Sequence, residues 1–306
     1  MASWGQLLNE VDALPNDAAR AQWIQNRTFE TLRRIGDKRG DRNVLFYSSA
    51  FLQKQLLNPV LTQITFEDVN GFMSTLYGMR WDKGLTLLMH TPGGVTNATE
   101  TIVQYLHGKF ADMEVIVPTF AMSAGTMISL AANRVVMGRQ SQLGPIDPQL
   151  QISGKFVSAR AIVDQFDRAK GEVTTDLRLA HVWAPILQSL GPALLVEAQN
   201  ALDYGERMVG DWLARRMFNG QANATQMGKD TAGYFNNATI HKSHGRRIDR
   251  YEARSRNVIV EDLEDNQELQ DDVLTAYHLM TIMYEKSPAA KMIWASHGVT
   301  WIKNAA

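Results

Sequence analysis

The chain has 306 residues, of which 45% are apolar and 21% are charged, and its formal net charge is −1. This composition is typical of a folded protein with a sizeable core, and the near-zero charge gives no general attraction to nucleic acid or to an anionic membrane. There is no cysteine, which excludes disulfides, a thiolate nucleophile and a cysteine-ligated zinc site.

The amino-terminal residues carry no basic segment followed by an apolar core, so we expect no secretory signal. No apolar run approaches the roughly 20 residues that span a bilayer, and we expect a cytoplasmic protein without an integral membrane segment. Residues 1–40 are charged and have helical spacing. They predict a helix that Asn16 or Asp17 caps and that ends at about Ile35, before Gly36.

Short apolar runs alternate with helical patterns between residues 43 and 137, which is the rhythm of parallel strands joined by helices. The predicted strands are 43–47, 85–89, 115–118 and 135–137. The predicted helices are 66–77, 97–108 and 123–132. Asn97 lies three residues ahead of Glu100, which predicts a capping pair at the start of the second helix.

The second half of the chain is predicted to be mainly helical. Residues 140–150 hold two prolines and one glycine and are expected to be irregular, and residues 157–170 are expected to form a helix. Residues 191–218 have apolar or small side chains at alternating three- and four-residue steps, which favours packing against another helix, either in the same core or in a subunit contact. The basic block 242–256 and the acidic block 261–272 are expected to be solvated faces and not a nucleic-acid site.

Two short segments that follow predicted strands could form a catalytic centre. The run HTPGGV begins at His90, and the run AMSAGT holds Ser123. Ligands of open α/β sheets bind at the carboxyl ends of the strands. Gly93 and Gly94 can point backbone N–H groups at a substrate carbonyl, and a serine at a helix start lies in a field that favours a nearby oxyanion. A tight turn and an N-capping serine are the alternative interpretation.

The run LLMHTPGGVTNATETIVQYL, followed by VIVPTFAMSAGTMISLAANRVVMGRQSQLGPIDPQ, resembles the superfamily of Clp proteases and signal peptide peptidase A. The resemblance is greatest to the family of serine dehydrogenase proteinases. It covers residues 85–150, and a looser similarity covers residues 244–265.

The resemblance implies an α/β fold, a Clp/crotonase-like spiral of β-β-α units with additional helical segments at both ends. We expect an N-terminal helical segment (1–40), a catalytic domain (41–265) that includes the long helix 191–218, and a C-terminal helical tail (266–306). Relatives assemble into rings or dimers, so a homo-oligomer is expected.

The resemblance also implies the roles of several residues. Ser123 would be the nucleophile of a serine peptidase that acts on peptides or unfolded protein segments. The N–H groups of Gly93 and Ala124 would form the oxyanion hole, and Gly94 would shape the same turn. We expect no cofactor and no metal, since His241 and His244 lack a nearby third ligand.

The sequence does not decide which residue is the general base. Clp proteases use a histidine about 25 residues after the serine, where this chain has Asp147, which could orient a base or a loop. Peptidase A relatives use a lysine, for which Lys170 and Lys155 are the candidates. Lys170 continues an apolar helix face and is expected to be partly desolvated, which would lower its pKa, whereas Lys155 lies in a predicted turn. His90, beside the glycines, is the third candidate.

Two other functions compete with a peptidase. A crotonase-type acyl-CoA enzyme would share the fold and the glycine-lined oxyanion site. A catalytically silent oligomeric scaffold would assemble through residues 191–218 and the charged segment that follows. The sequence has no GxGxxG fingerprint and no Walker A motif, so we expect neither a hydride-transfer cofactor nor an ATPase activity in this chain.

Overall fold

The structure is a computed structural model that describes residues 3–152, 154–191 and 193–305. In these residues the helices are α1 (Trp4–Asp12), α2 (Asp17–Lys38), α3 (Glu67–Leu76), α4 (Thr96–His107), α5 (Ala124–Leu130), α6 (Ala159–Thr175), α7 (Ala180–Gln188), α8 (Leu194–Arg215), α9 (Ala224–Phe235), α10 (Ala238–His241), α11 (Arg250–Ser255) and α12 (Gln267–Lys286). The strands are β1 (Asn43–Ser49), β2 (Leu85–His90), β3 (Met113–Val117), β4 (Phe120–Ala121), β5 (Arg134–Met137), β6 (Gln142–Leu143), β7 (Gln149–Ile152), β8 (Lys155–Ser158), β9 (Val260–Asp262), β10 (Ala289–Ala295) and β11 (Thr300–Asn304).

The described chain divides into two units. The first unit holds the residues up to Leu143 and those from Arg247 onward, and the second unit holds residues 144–246. This division differs from the expected boundaries at residues 40 and 265. The reason is that α2 and α12 share one apolar core with the sheet and that α1 packs on both helices, so neither end of the chain is separate from the sheet.

The first unit is built on a sheet in which the described strands lie in the order β11-β10-β1-β2-β3-β5-β9. The strands β1, β2, β3, β5 and β9 run parallel, whereas β10 is antiparallel to both of its neighbours. Every residue of β2 and β3 is buried, as expected for parallel strands covered on both faces. The four strands predicted from the sequence all belong to this sheet, as β1, β2, β3 and β5.

The carboxyl-terminal segment differs from the expected helical tail over residues 266–306. Its helix α12 ends at Lys286, and β10 and β11 follow it as strands of the sheet. All seven residues of β10 are buried, and the pairing with β1 provides partners for its backbone groups. As a strand, this short buried run pairs with β1 on one side and β11 on the other, so its backbone donors and acceptors keep partners although they are removed from water.

Helix caps explain where two of the helices begin. Helix α2 begins after Asn16, whose side chain accepts a hydrogen bond from Ala19 N at 2.9 Å, as predicted. Helix α4 begins at Thr96, after Val95, and it has no side-chain cap. The predicted capping pair of Asn97 and Glu100 is therefore wrong, because Val95 N already donates to Ile64 O and fixes the entry to the helix.

The second unit contains the β7–β8 hairpin and the helices α6 to α10. The predicted helix over residues 191–218 is α8, whose apolar seam packs on α6 and α9 within the unit. Helices α8 and α9 approach closely: a Cβ atom at Gly228 would lie 2.3 Å from Gly210 O. These contacts support the interpretation of the seam as a core of the same unit.

Candidate active site

The two glycine- and serine-containing segments lie side by side in the first unit. Thr91 N donates to Phe120 O at 2.9 Å, and Met122 N donates to Thr91 O at 3.1 Å. Thr91 and Ala121 form a parallel bridge. These bonds continue the pairing of the sheet beyond the end of β2, so the two segments leave the sheet at the same carboxyl edge, as the sequence predicted.

Ser123 has an unusual backbone conformation. It links β4 to α5 with φ 50° and ψ −114°, values that lie outside the left-handed helical region that non-glycine residues with positive φ commonly adopt. Such a conformation costs on the order of 1–3 kcal/mol and persists at functional sites. The side chain is half-buried, and among the described residues of the first unit Ser123 Oγ has no hydrogen-bond partner. The hydroxyl is thus held at a sharp strand-to-helix turn without a partner in its own unit.

Gly93 lies against the serine. It has φ +109°, and a Cβ atom at this position would lie 2.6 Å from Ser123 Cβ and 3.1 Å from Ala124 N. Only glycine fits, and the structure therefore brings together the three residues predicted for the nucleophile and the oxyanion hole. Gly93 N donates to Thr91 Oγ1 at 3.2 Å, a long hydrogen bond to a neutral hydroxyl, for which a negatively charged oxygen would be the stronger acceptor.

Gly94 is required for a different reason. A Cβ atom there would lie 2.2 Å from Ile64 O and 2.4 Å from Ile64 N. Ile64 N donates to Gly93 O at 2.8 Å, and Val95 N donates to Ile64 O at 2.9 Å. Ile64 therefore forms an isolated parallel bridge with Gly94, a neighbour that the sequence analysis did not find.

His90 lies at the end of β2 but is not suited to act as a base. Its ring is fully buried beside Phe51 and Tyr277, and its Nδ1 shares a hydrogen bond of 2.9 Å with Thr119 Oγ1. Burial lowers the pKa of His90 to about 3, so the imidazole is neutral at neutral pH and is a weak acceptor for a second proton. Burial therefore favours a packing role for His90 over a role as the base.

The two candidate lysines belong to the second unit, and both are exposed. The expected partial desolvation of Lys170 is wrong, because the buried face of α6 passes through Ile162 and Ala169, and Lys170 points to water. Lys155 is exposed, as predicted, but it is the first residue of β8 and does not lie in a turn. Neither lysine has the buried setting that commonly activates a neutral amine.

Asp147 forms a pair that the sequence analysis missed. In the second unit its carboxylate is 2% exposed, and Oδ1 lies 2.8 Å from His244 Nδ1, while Gln149 Nε2 donates to Oδ2 at 2.7 Å. The pair lines an open pocket of about 350 Å³. Asp147 and His244 are 97 residues apart, so no local pattern could join them.

His241 does not join His244 in a metal site. It is buried, and its Nε2 lies 2.8 Å from Tyr234 O. In the described part of the chain no cluster of three or more histidine, aspartate or glutamate side chains is arranged to hold a metal ion. Likewise, no described helix combines the length and the apolar character that crossing a membrane requires.

A strained serine between a strand and a helix, packed against a glycine turn, is typical of α/β serine hydrolases. Comparison with protein families agrees with this class: the model of the ClpP-like SDH-type serine proteinases matches residues 13–183, more than half of the chain. The chain therefore belongs to this family. The family and the Clp-like α/β fold expected from the sequence are confirmed.

Two curated relatives come from Methanocaldococcus jannaschii. The uncharacterized protein MJ0137 is 42% identical over 92 residues, which are 30% of this chain and 32% of the relative. The uncharacterized protein MJ1495 is 33% identical over 145 residues, which are 47% of this chain and 48% of the relative. The matches thus span a third and about half of the lengths of these relatives.

Among solved structures, a mutant of a membrane-bound stomatin-specific protease is similar, with 20% sequence identity and a TM-score of 0.40. The similarity covers 69% of this chain and 79% of that chain.

Proposed function

We propose that the protein is a serine peptidase that hydrolyses peptides or unfolded protein segments, with Ser123 as its nucleophile. The observation that carries the proposal is the strained backbone of Ser123 in direct contact with Gly93. Evolution retains such strain where a nucleophile must be presented to a substrate. Membership of the ClpP-like family supports the same reaction class.

The chemistry follows from the positions of three groups. Ser123 Oγ attacks the scissile carbonyl carbon while its proton passes to a general base, and the carbonyl oxygen becomes an oxyanion. The N–H groups of Gly93 and Ala124 donate to that oxygen, and the hydrogen bond to Thr91 is released. The base then protonates the leaving amine, and water hydrolyses the acyl-enzyme to restore the serine.

Lys170 is our proposal for the general base, in a Ser/Lys-type mechanism like that of the peptidase A relatives. Its amine is exposed in the chain without substrate, so the proposal requires that bound substrate exclude the surrounding water. His244 is a second candidate. The buried carboxylate of Asp147 supports it, because a carboxylate that holds Nδ1 fixes the tautomer and the orientation of an imidazole base.

Four variants in the second unit assign the base. We expect Lys170→Met to slow the reaction of Ser123 with a fluorophosphonate probe about 100-fold, which is typical for the loss of a general base. Lys155→Met and His244→Gln test the other candidates, and Lys229→Met, an exposed helix lysine of the same unit, is the control. A loss confined to His244→Gln would assign the base to the histidine and remove Lys170 from the mechanism.

A probe experiment tests the nucleophile. A fluorophosphonate should label the protein once per chain, and mass spectrometry should place the adduct on Ser123. Ser123→Ala should abolish labelling, whereas Ser255→Ala, whose exposed hydroxyl donates to Glu252 O, should not change it. Labelling that survives Ser123→Ala would contradict the proposal.

We also propose that the protein is a homo-oligomer, as its Clp-like relatives are. Helix α7 supports this, because none of its residues is buried although it carries Val182 and Ile186, which are 57% and 38% exposed. Exposed apolar residues grouped on one helix are typical of an interaction surface. Light scattering should give a mass of at least two chains, and Val182→Glu with Ile186→Glu should reduce it. A monomeric wild-type protein would contradict this proposal.

A further inference from the structure

A buried ion pair lies in the first unit, close to the glycine turn. Lys291 of β10 is 1% exposed and Asp68 of α3 is fully buried, and Nζ lies 2.7 Å from Oδ2. The two residues are 223 positions apart in the sequence. Lys291 is the one charged residue of the strand AAKMIWA.

The pair holds the short segment 63–65 from two sides. Lys291 Nζ donates to Gln63 O at 3.0 Å and to Thr65 Oγ1 at 3.3 Å. Asp68 Oδ2 accepts from Thr65 N at 2.6 Å. The three donors of the ammonium group are thus divided between a carboxylate, a carbonyl and a hydroxyl, which no apolar side chain could replace.

This segment is in turn bonded to the glycine turn of the candidate site. Ile64 lies between the two residues that the ion pair fixes, and its side chain is 1% exposed. Its N–H donates to Gly93 O and its carbonyl accepts from Val95 N, so it holds the turn on both sides of Gly94. A displacement of residue 64 therefore moves Gly93, which lies against Ser123.

Stability alone does not explain a charge pair at this position. Removing two charges from water costs several kcal/mol per ion, and apolar residues of similar volume are often as stable or more stable. The alternative explanation is that the pair fixes geometry. Catalytic donors must be held within about half an ångström of their productive positions, and groups outside the site commonly provide that precision.

We propose that Lys291 is a positioning residue, which acts through Asp68 and residues 63–65 to set the place of the Gly93 N–H relative to Ser123. The inference rests on the proposed function of Ser123 and Gly93. Lys291 does not react itself, since it is enclosed by its three acceptors and is not exposed to a substrate.

Kinetics of probe labelling test the inference. We expect Lys291→Met to lower the second-order rate constant of Ser123 labelling about tenfold or more, the order of effect of a misplaced oxyanion donor. The control is Arg39→Met, which breaks another ion pair of the same unit, formed with the buried Glu114. It should leave the rate per folded molecule within about twofold of the wild type.

A double variant separates position from stability. In Asp68→Asn with Lys291→Met no charge stays buried, so we expect resistance to denaturant to recover relative to Lys291→Met. The labelling rate should stay low, because Gln63 and Thr65 have lost their donor. Recovery of both properties, or a Lys291→Met rate within about twofold of the wild type, would overturn the inference.

Amide hydrogen exchange keeps this inference separate from the proposed function. The Ile64 and Val95 amides should exchange about tenfold faster in Lys291→Met than in Arg39→Met, since local opening of the turn exposes both. If the wild-type protein is not labelled at all, the proposed function fails, and exchange still tests the positioning role. Equal exchange rates in the two variants would overturn it.

Discussion

The two edges of the central sheet differ in how completely their polar groups are hydrogen-bonded. At the amino edge, the fully buried Glu114 accepts hydrogen bonds from Arg39 at 2.8 and 2.6 Å, from Thr86 at 2.7 Å and from Arg134 at 2.8 Å. Both carboxylate oxygens are satisfied, as a buried charge requires.

The carboxyl edge leaves its polar groups available. Among the described residues of its unit Ser123 Oγ has no partner, its backbone is strained, and the Gly93 N–H makes one long hydrogen bond. The amino edge thus has the character of a stabilising cluster, and the carboxyl edge carries the proposed reaction centre, where ligands of parallel sheets commonly bind.

Loss of Glu114 should affect stability and not the site. Glu114→Leu leaves Arg39 and Arg134 without their common carboxylate, and removing one partner of a buried ion pair costs about 3–5 kcal/mol. Denaturant unfolding should show this loss, while the rate of probe labelling per folded molecule stays unchanged. A large drop in the labelling rate of the folded variant would show that the two edges are not independent.

Gly93→Ala should have the reverse effect. The added methyl group meets Ser123 Cβ and Ala124 N, and the positive φ is unfavourable for alanine, so the proposed oxyanion donor is displaced. We expect the labelling rate to fall about 100-fold, the usual cost of a lost donor. Gly5→Ala is the matched control, because a Cβ atom there meets nothing within 4 Å in α1. Labelling of Gly93→Ala at the wild-type rate would remove Gly93 from the oxyanion hole.

Glu114 at the amino edge should also make the free energy of unfolding depend on pH in the acid range. Burial alone would raise the pKa of Glu114, but the hydrogen bonds and charge of Arg39, with the Thr86 hydrogen bond and the charge of Arg42, together offset it, and the net pKa is lowered. A carboxylate with a lowered folded pKa contributes stability that is present above its unfolded pKa of about 4.5 and is lost as the pH falls through the folded pKa.

Denaturant unfolding between about pH 7 and about pH 3 measures this contribution. The difference in unfolding free energy between the wild type and Glu114→Gln should shrink as the pH falls. The exposed Glu285→Gln should follow the wild type throughout. A difference that does not depend on pH would contradict the assignment.

Thr91→Val should have the smallest effect. The change removes the acceptor of the Gly93 N–H but keeps a side chain of nearly the same shape. We expect a labelling rate within about threefold of the wild type, because the N–H is needed by the oxyanion and not by the threonine. A drop of more than about tenfold would instead make Thr91 a residue that positions the turn.

Much of the parallel sheet and the core of the site could be predicted because their signals are local. The strands before His90 and Pro118 are short apolar runs, and the Pro-Gly-Gly and Ser-Ala-Gly segments that follow them are typical of turns and helix starts. The family resemblance assigned the same segments, and the family match over residues 13–183 confirms the family.

The features that the sequence did not predict depend on contacts between residues that are distant in the chain. Strand β10 pairs with β1, and His244 binds Asp147, although no local pattern links either pair. The exposure of Lys170 depends on which face of α6 is buried, and this face contains Ala169 and not Lys170. Lys291 did leave a signal, since a single lysine inside an apolar strand-length run indicates a buried partner.

Turnover of an unfolded substrate tests the central claim most directly. A fluorogenic peptide mixture and an unfolded protein should both be cleaved by the wild type, and Ser123→Ala should lower kcat by about a thousandfold or more while it stays as resistant to denaturant as Ser255→Ala. Cleavage by Ser123→Ala at the wild-type rate would contradict the assignment of this serine as the nucleophile.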